Sequence, residues 1–112
     1  MAEIQFCRGF KESVVPDIKV TRSRNLDGGT ATFYFDGPDA LASDSTVEIT
    51  GMYLVDDEGE IVSRDVKGKF INGKPSAIES KLSMNSAAEW ERFIRFMDKY
   101  AEENGLGLDK KS

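Results

Sequence analysis

Apolar residues change their spacing once along this chain, at Ser86, and that change limits the fold to strands first and a helix last. Before Ser86 the repeat is two. Ile4 and Phe6 share one side of a short first strand, and Ile18 and Val20 do the same within residues 17–24. Ala31, Phe33 and Phe35 line one face of residues 30–35, opposite Thr30, Thr32 and Tyr34. Val47, Ile49, Tyr53 and Val55 align along residues 47–55, and Ile78, Leu82 and Met84 along residues 76–84. Antiparallel sheets with one covered face read this way.

Turn residues join these strands into hairpins. Residues 25–29 (NLDGG) link the second and third strands, with glycines expected to take positive φ. Residues 56–59 (DDEG) link the fourth and fifth. Asn72-Gly73 links the fifth and sixth and suits a type I′ turn, which needs positive φ at both positions. The fifth strand spans roughly residues 60–71. Its phase is untidy, with Ile61 beside Val62 and Gly68 inside, so a bulge or strong bend is expected. Residues 38–42 (PDALA) suit a short helical turn.

From Ser86 the repeat is helical. Ser86 and Glu89 fit a capping box, in which hydroxyl and carboxylate satisfy backbone N–H groups reciprocally. Trp90, Phe93, Ile94, Met97 and Ala101 then form one apolar stripe. Gly105 is placed to end the helix in a left-handed conformation, with Leu106 folding back. The helix is expected over residues 87–104. The fold class is α+β: an antiparallel β-hairpin meander sheet with a C-terminal amphipathic helix packed on one face. Residues 1–112 form one domain, with 106–112 a frayed tail.

Several chemistries are excluded by residues the chain lacks. There is no histidine, so no His-dependent triad and no His-ligated metal exists. Cys7 is the sole cysteine, which rules out an internal disulfide and a Cys-rich metal site. Residues 56–60 (DDEGE) lack the alternating ligands of a calcium loop. No catalytic residue, metal site or cofactor is expected. Residues 67–71 (KGKFI) faintly echo an RNA-recognition strand, but its further aromatics are missing and the chain's charge of −5 opposes phosphate contacts. No nucleic-acid partner is expected. The N-terminus has neither a basic nor an apolar leader region, and no apolar run is long enough to cross a bilayer.

Charge is segregated. Between residues 25 and 60 there are nine carboxylates and no Lys or Arg. Such a block is either a solvated surface or a face that steers toward a basic partner. Tyr34 and Met52 point away from the main apolar sets of their strands, which makes them candidates for exposure and partner contact.

Residues 50–61 (TGMYLVDDEGEI), 67–80 (KGKFINGKPSAIES) and 88–107 (AEWERFIRFMDKYAEENGLG) resemble, in order and combined length, the photosystem II assembly protein of the Psb-twenty-eight family. The likeness continues through residues 2–6 (AEIQF), 14–23 (VVPDIKVTRS) and 29–35 (GTATFYF). The resemblance implies a non-enzymatic factor docking transiently on the cytoplasmic face of immature photosystem II, at core antenna and reaction-centre loops. It implies a peripheral place on the cyanobacterial thylakoid (stromal in a plastid), reached through protein partners only. An enzyme or binding protein of pigment metabolism, and a structural protein that self-associates through sheet edges, are the alternatives. Candidate partner-binding residues are Lys19, Thr21, Arg22, Ser23 and Arg24 on the second strand, with Tyr34, Met52, Asp56, Asp57 and Glu58. An added strand at residues 17–24 is the expected mode of docking, with residues 47–55 the next candidate edge.

Overall fold

The computed structural model describes residues 1–23, 28–42 and 48–106. Eight strands precede one helix: β1 (Glu3–Cys7), β2 (Phe10–Lys11), β3 (Asp17–Arg22), β4 (Gly29–Asp36), β5 (Met52–Asp56), β6 (Gly59–Ser63), β7 (Asp65–Ile71), β8 (Lys74–Met84) and α1 (Ala87–Asn104). A 3₁₀ turn at Asp39–Leu41 follows β4. All strand pairs are antiparallel, so the α+β class with hairpins and a C-terminal helix holds.

The strands form two four-stranded sheets where a single meander was expected. Their orders are β2-β1-β5-β6 and β3-β4-β8-β7. The division falls inside the long fifth strand of the sequence reading, which breaks at Arg64 into β6 and β7, one in each sheet. That break is one source of the untidy phase. A bulge between Lys69 and Phe70 is the other.

Both inner faces close on one core. Ile4, Phe6, Met52 and Leu54 come from the first sheet, and Ala31, Phe33, Phe35, Ile78, Leu82 and Met84 from the second. Phe6 meets Phe35 edge-on at 4.8 Å between the sheets, and Phe33 meets Phe93 of α1 edge-on at 6.2 Å. The helix buries Phe93, Phe96, Met97, Tyr100 and Ala101, spaced i, i+3, i+4, i+7, i+8. The stripe is thus rotated from the expected one, leaving Trp90 and Ile94 at its margin. Each fully buried aromatic or Met side chain contributes about 1.5–3 kcal/mol of transfer free energy. The helix ends follow the sequence: Ser86 Oγ accepts from the Glu89 N–H at 3.1 Å, and Gly105 is left-handed with φ 66°.

Met52 is a correction. It was expected to be exposed, but it is fully buried and shares the core face with Leu54. Tyr53 takes the outer face and is covered there by the guanidiniums of Arg8 and Arg64, 4.7 and 5.5 Å from its ring. Its hydroxyl meets Thr50 Oγ1 and Arg64 Nη1, each at 2.7 Å. The hydrogen bond with Thr50, with the two arginines adding to it, holds the phenol below its ordinary pKa against the effect of burial. Both faces of β5 are therefore covered, and alternation cannot phase a strand of that kind.

Candidate docking surface

β3 is an edge strand, bonded to β4 alone. The Ser23 N–H donates to the Gly28 carbonyl at 3.0 Å, and the same register pairs Thr21 with Thr30 and Lys19 with Thr32. Antiparallel pairs alternate between bonded and non-bonded positions. Lys19, Thr21 and Ser23 therefore spend their backbone groups on β4. Ile18, Val20 and Arg22 point theirs outward. Thr21 and Ser23 have the same parity, so neither of these two candidate residues offers an outward N–H.

Side chains at this edge divide by face. Lys19 and Thr21 lie beside Thr32 and Thr30 on the outer face of the sheet. Tyr34 is on that face too and is 38% exposed, in agreement with the expectation. Arg22 stacks its guanidinium 5.1 Å from the Trp90 ring of α1. A stacked guanidinium keeps its in-plane donors available for a carboxylate. Arg24 lies outside the described residues, as does Val47. The other candidate edge fails on topology, because β5 is interior, bonded to β1 on one side and β6 on the other.

The acidic hairpin tip is engaged within the fold. Arg92 grips Asp56 with two bonds of 2.6 and 2.8 Å, and Arg95 Nε and Nη2 both reach Glu58 Oε atoms at 3.0 Å. Lys99 Nζ reaches Asp57 at 2.7 Å, Glu58 at 3.2 Å and Asp56 at 3.4 Å. Three carboxylates thus face three cations on one side of α1. Lys99 holds the Asp57 carboxyl below its usual range, and Arg95 does the same for Glu58. Burial works against ionising Asp56, but hydrogen bonds from Arg92 and the Glu58 N–H outweigh it and leave its pKa depressed. The cations sit at i, i+3 and i+7, a spacing visible in the sequence. Which acids they would meet was not.

A surface hollow of about 290 Å³ is lined by residues including Phe6, Phe10, Glu12 and Asp39. Its carboxylates already serve the backbone. Glu12 is buried and accepts from the N–H groups of Val14, Asp39 and Ala40 at 3.0, 2.9 and 3.1 Å. Asp39 accepts from the hydroxyl and N–H of Ser13, which lower its pKa. These bonds pin the loop before β3 to the 3₁₀ turn. Among the described residues no cluster of His, Cys, Asp or Glu could hold a metal ion, and no helix is long and apolar enough to cross a membrane. Phe70 and Ile71, which the sequence offers only as part of a rejected RNA-strand echo, are 66% and 61% exposed beside the Asn72-Gly73 turn.

A family model described as Psb28 protein matches residues 4–108. The chain belongs to the Psb28 family. Over 110 residues it is 64% identical to the "Photosystem II reaction center Psb28 protein" of Gloeothece citriformis, covering 98% of this chain and 99% of that one. It is 58% identical to the protein of that name from Synechocystis, with 98% of each chain covered. It is also 58% identical to the "Photosystem II assembly factor Psb28 protein" of Thermosynechococcus vestitus, covering 98% and 94%. The Psb28 match takes in every strand from β2 to β8, the acidic tip and the whole of α1.

Proposed function

We propose that this protein is a non-catalytic assembly factor that binds transiently to the cytoplasmic face of immature photosystem II. Its partners are core antenna and reaction-centre subunits, and a tail or loop of one of them adds a strand beside β3. Membership of a family whose relatives are named as photosystem II proteins, one of them as an assembly factor, supports the partner. The outward backbone of Ile18, Val20 and Arg22 is the observation that carries the mode of binding. An added strand would gain backbone bonds for affinity, while Lys19 and Arg22 could fix its register through acidic side chains. Open sheet edges, β3 among them, are also where self-association of two copies would occur.

Capture from detergent-solubilised thylakoid membranes, read by subunit identity, tests the partner. Photosystem II core subunits are expected, and their absence would overturn the assignment. Val20→Pro tests the edge. It removes an outward N–H without changing charge, and proline is tolerated on edge strands. Capture should weaken about tenfold, the cost of one unmade bond in a desolvated interface, while thermal unfolding is little changed. Thr21→Pro should instead damage the β3–β4 hairpin. Wild-type capture by a folded Val20→Pro protein would remove β3 as the docking edge.

Association with membranes should also be sensitive to salt. Exposed ion pairs are screened beyond a Debye length of about 8 Å at physiological ionic strength. A wash of membranes in high salt is expected to release the protein. Retention through both high-salt and alkaline washes would contradict attachment of this kind.

A further inference from the structure

Residues 67–75 are exposed at every position, on both sides of the β7–β8 hairpin. β4 stops supporting the hairpin at Asp36, opposite Ala77, and its last tie is the Gly37 N–H on the Ser76 carbonyl at 2.9 Å. Beyond that tie, Phe70 pairs with Pro75 and Ile71 with Lys74 across a turn held open by Asn72 (φ 52°) and Gly73 (φ 78°). The tip therefore projects past its own sheet. It carries two of the most exposed large apolar side chains among the described residues.

Charge along the tip itself has one sign, the nearest acids in the register being Glu79, opposite Lys67, and Asp36, opposite Ala77. Lys67, Lys69 and Lys74 flank Phe70 and Ile71, and no acid occurs from residue 66 to residue 78. In a chain of net charge −5 this is a local reversal. Its base is marked by an exposed pair between Lys69 and Glu79 at 4.0 Å.

Geometry selects the occupant. Phe70 and Ile71 are consecutive in a strand and so point to opposite faces. A protein surface laid on one face would leave the other apolar side chain in water. A bilayer interface surrounds both. Two to three residues of strand from Phe70 to the turn span roughly 7–10 Å, comparable to the depth at which interfacial segments sit among headgroups and upper acyl chains, about 5–10 Å. Lysines set back from the tip would extend their stems along the apolar side chains and place their ammonium groups at lipid phosphates.

We propose that the β7–β8 hairpin tip inserts Phe70 and Ile71 into the interface of an anionic bilayer, with Lys67, Lys69 and Lys74 contacting its headgroups. The contact departs from the expectation of attachment through protein partners alone. It is independent of the docking edge, since β3 and β7 are at opposite ends of the strand order β3-β4-β8-β7. One contact is weak and reversible, so the expected release by salt stands with it.

Flotation with phosphatidylcholine vesicles, with and without phosphatidylglycerol at one lipid in three, tests the proposal. Binding to the anionic vesicles should be about tenfold stronger than to the neutral ones and should fall with salt. The double variant Phe70→Ser/Ile71→Ser, and separately the triple variant Lys67→Gln/Lys69→Gln/Lys74→Gln, should each lower anionic-vesicle binding about tenfold. Substitutions at such exposed positions are expected to leave the fold intact. A Phe70→Trp protein supplies a second readout, with half-buried Trp90 as a constant background. Its emission should shift to the blue on adding anionic vesicles and stay unchanged with neutral ones. Absence of binding to anionic vesicles at low salt would overturn the proposal. So would wild-type vesicle binding by the Phe70→Ser/Ile71→Ser protein, and if that variant also lost capture of photosystem II subunits, the tip would be a protein contact instead.

Discussion

Replacing Asp56 with Ala is expected to lower stability by about 2 kcal/mol and the melting temperature by roughly 8 °C. Asp56 is shallow in the fold, yet its side chain is 0% exposed because Arg92 and Lys99 cover it. Its carboxylate also accepts the Glu58 N–H at 2.9 Å, which shapes the β5–β6 turn. Removing it strands the Arg92 guanidinium against α1 and frees the turn. The full cost of an uncompensated buried charge, about 3–5 kcal/mol, is reduced because Arg92 remains partly exposed and can turn toward water. Reversing Asp56, Asp57 and Glu58 together should be far worse, since it sets three new cations against Arg92, Arg95 and Lys99. Loss of the folded state is expected there, where a sequence reading of the tip as a free steering patch expects only slower docking. The pH dependence follows from the directions of the shifts. Asp56, Asp57 and Glu58 have folded pKa values below their ordinary 3.8, 3.8 and 4.5, so their stabilisation is present above that range. It is lost as pH falls below about 4 and through the depressed values. Lys99 is shifted up, chiefly by its bond to Asp57, so its contribution holds below its ordinary 10.5 and disappears as pH rises through the folded value. Asp56→Ala should therefore flatten the acid limb of a stability profile. An unchanged acid limb and melting temperature would show the network to be ornamental.

What was legible in the sequence was whatever one period or one turn decides locally. Ser86, Glu89 and Gly105 bound α1 at the residues expected, because capping chemistry acts within a single turn. Asn72-Gly73 closes its hairpin with positive φ at both residues for the same reason. The division into two sheets was not legible. It depends on Arg64 letting β6 pair with β5 and β7 with β8, and pairing partners lie far apart in sequence. Met52 was misplaced because the outer face of β5 is covered by Arg8 and Arg64, whose stems and planes do the work of apolar neighbours. On the candidate docking surface, the strand β3 and the exposure of Tyr34 were legible from alternation. The direction of each N–H on β3 was not, since it hangs on the Ser23–Gly28 bond. The acidic tip was legible as charge. Its partners on α1, some forty residues away in sequence, were not.

Gly28→Ala is expected to cost about 3 kcal/mol, with a lower urea midpoint at an unchanged denaturant slope. The sequence suggests that Gly28 and Gly29 supply positive φ to a turn, yet neither is among the residues with positive φ. Close approach is the reason for glycine here. A Cβ on Gly28 would overlap the carbonyl oxygen of Met84, and one on Gly29 would lie 2.5 Å from the Thr21 carbonyl oxygen and 2.6 Å from the Trp90 ring. Those neighbours are the end of β8, the outermost strand β3 and the first turn of α1, so three elements meet at a point with no room for a methyl group. Two of the obstacles are backbone, which cannot swing aside as the end of a long side chain can. The alternative predicts the opposite sign: at a glycine in open space with ordinary φ, Ala stabilises by about 0.4–1 kcal/mol through the unfolded chain. Binding should suffer along with stability. Displacing Gly28 breaks the register set by the Ser23–Gly28 bond, which aims Val20 and Arg22 outward, and separates Arg22 from Trp90. Gly28→Ala should therefore weaken capture of photosystem II subunits even below its lowered melting temperature. A variant as stable as wild type, or more stable, would mean that the end of β8 does not close on Gly28 as described.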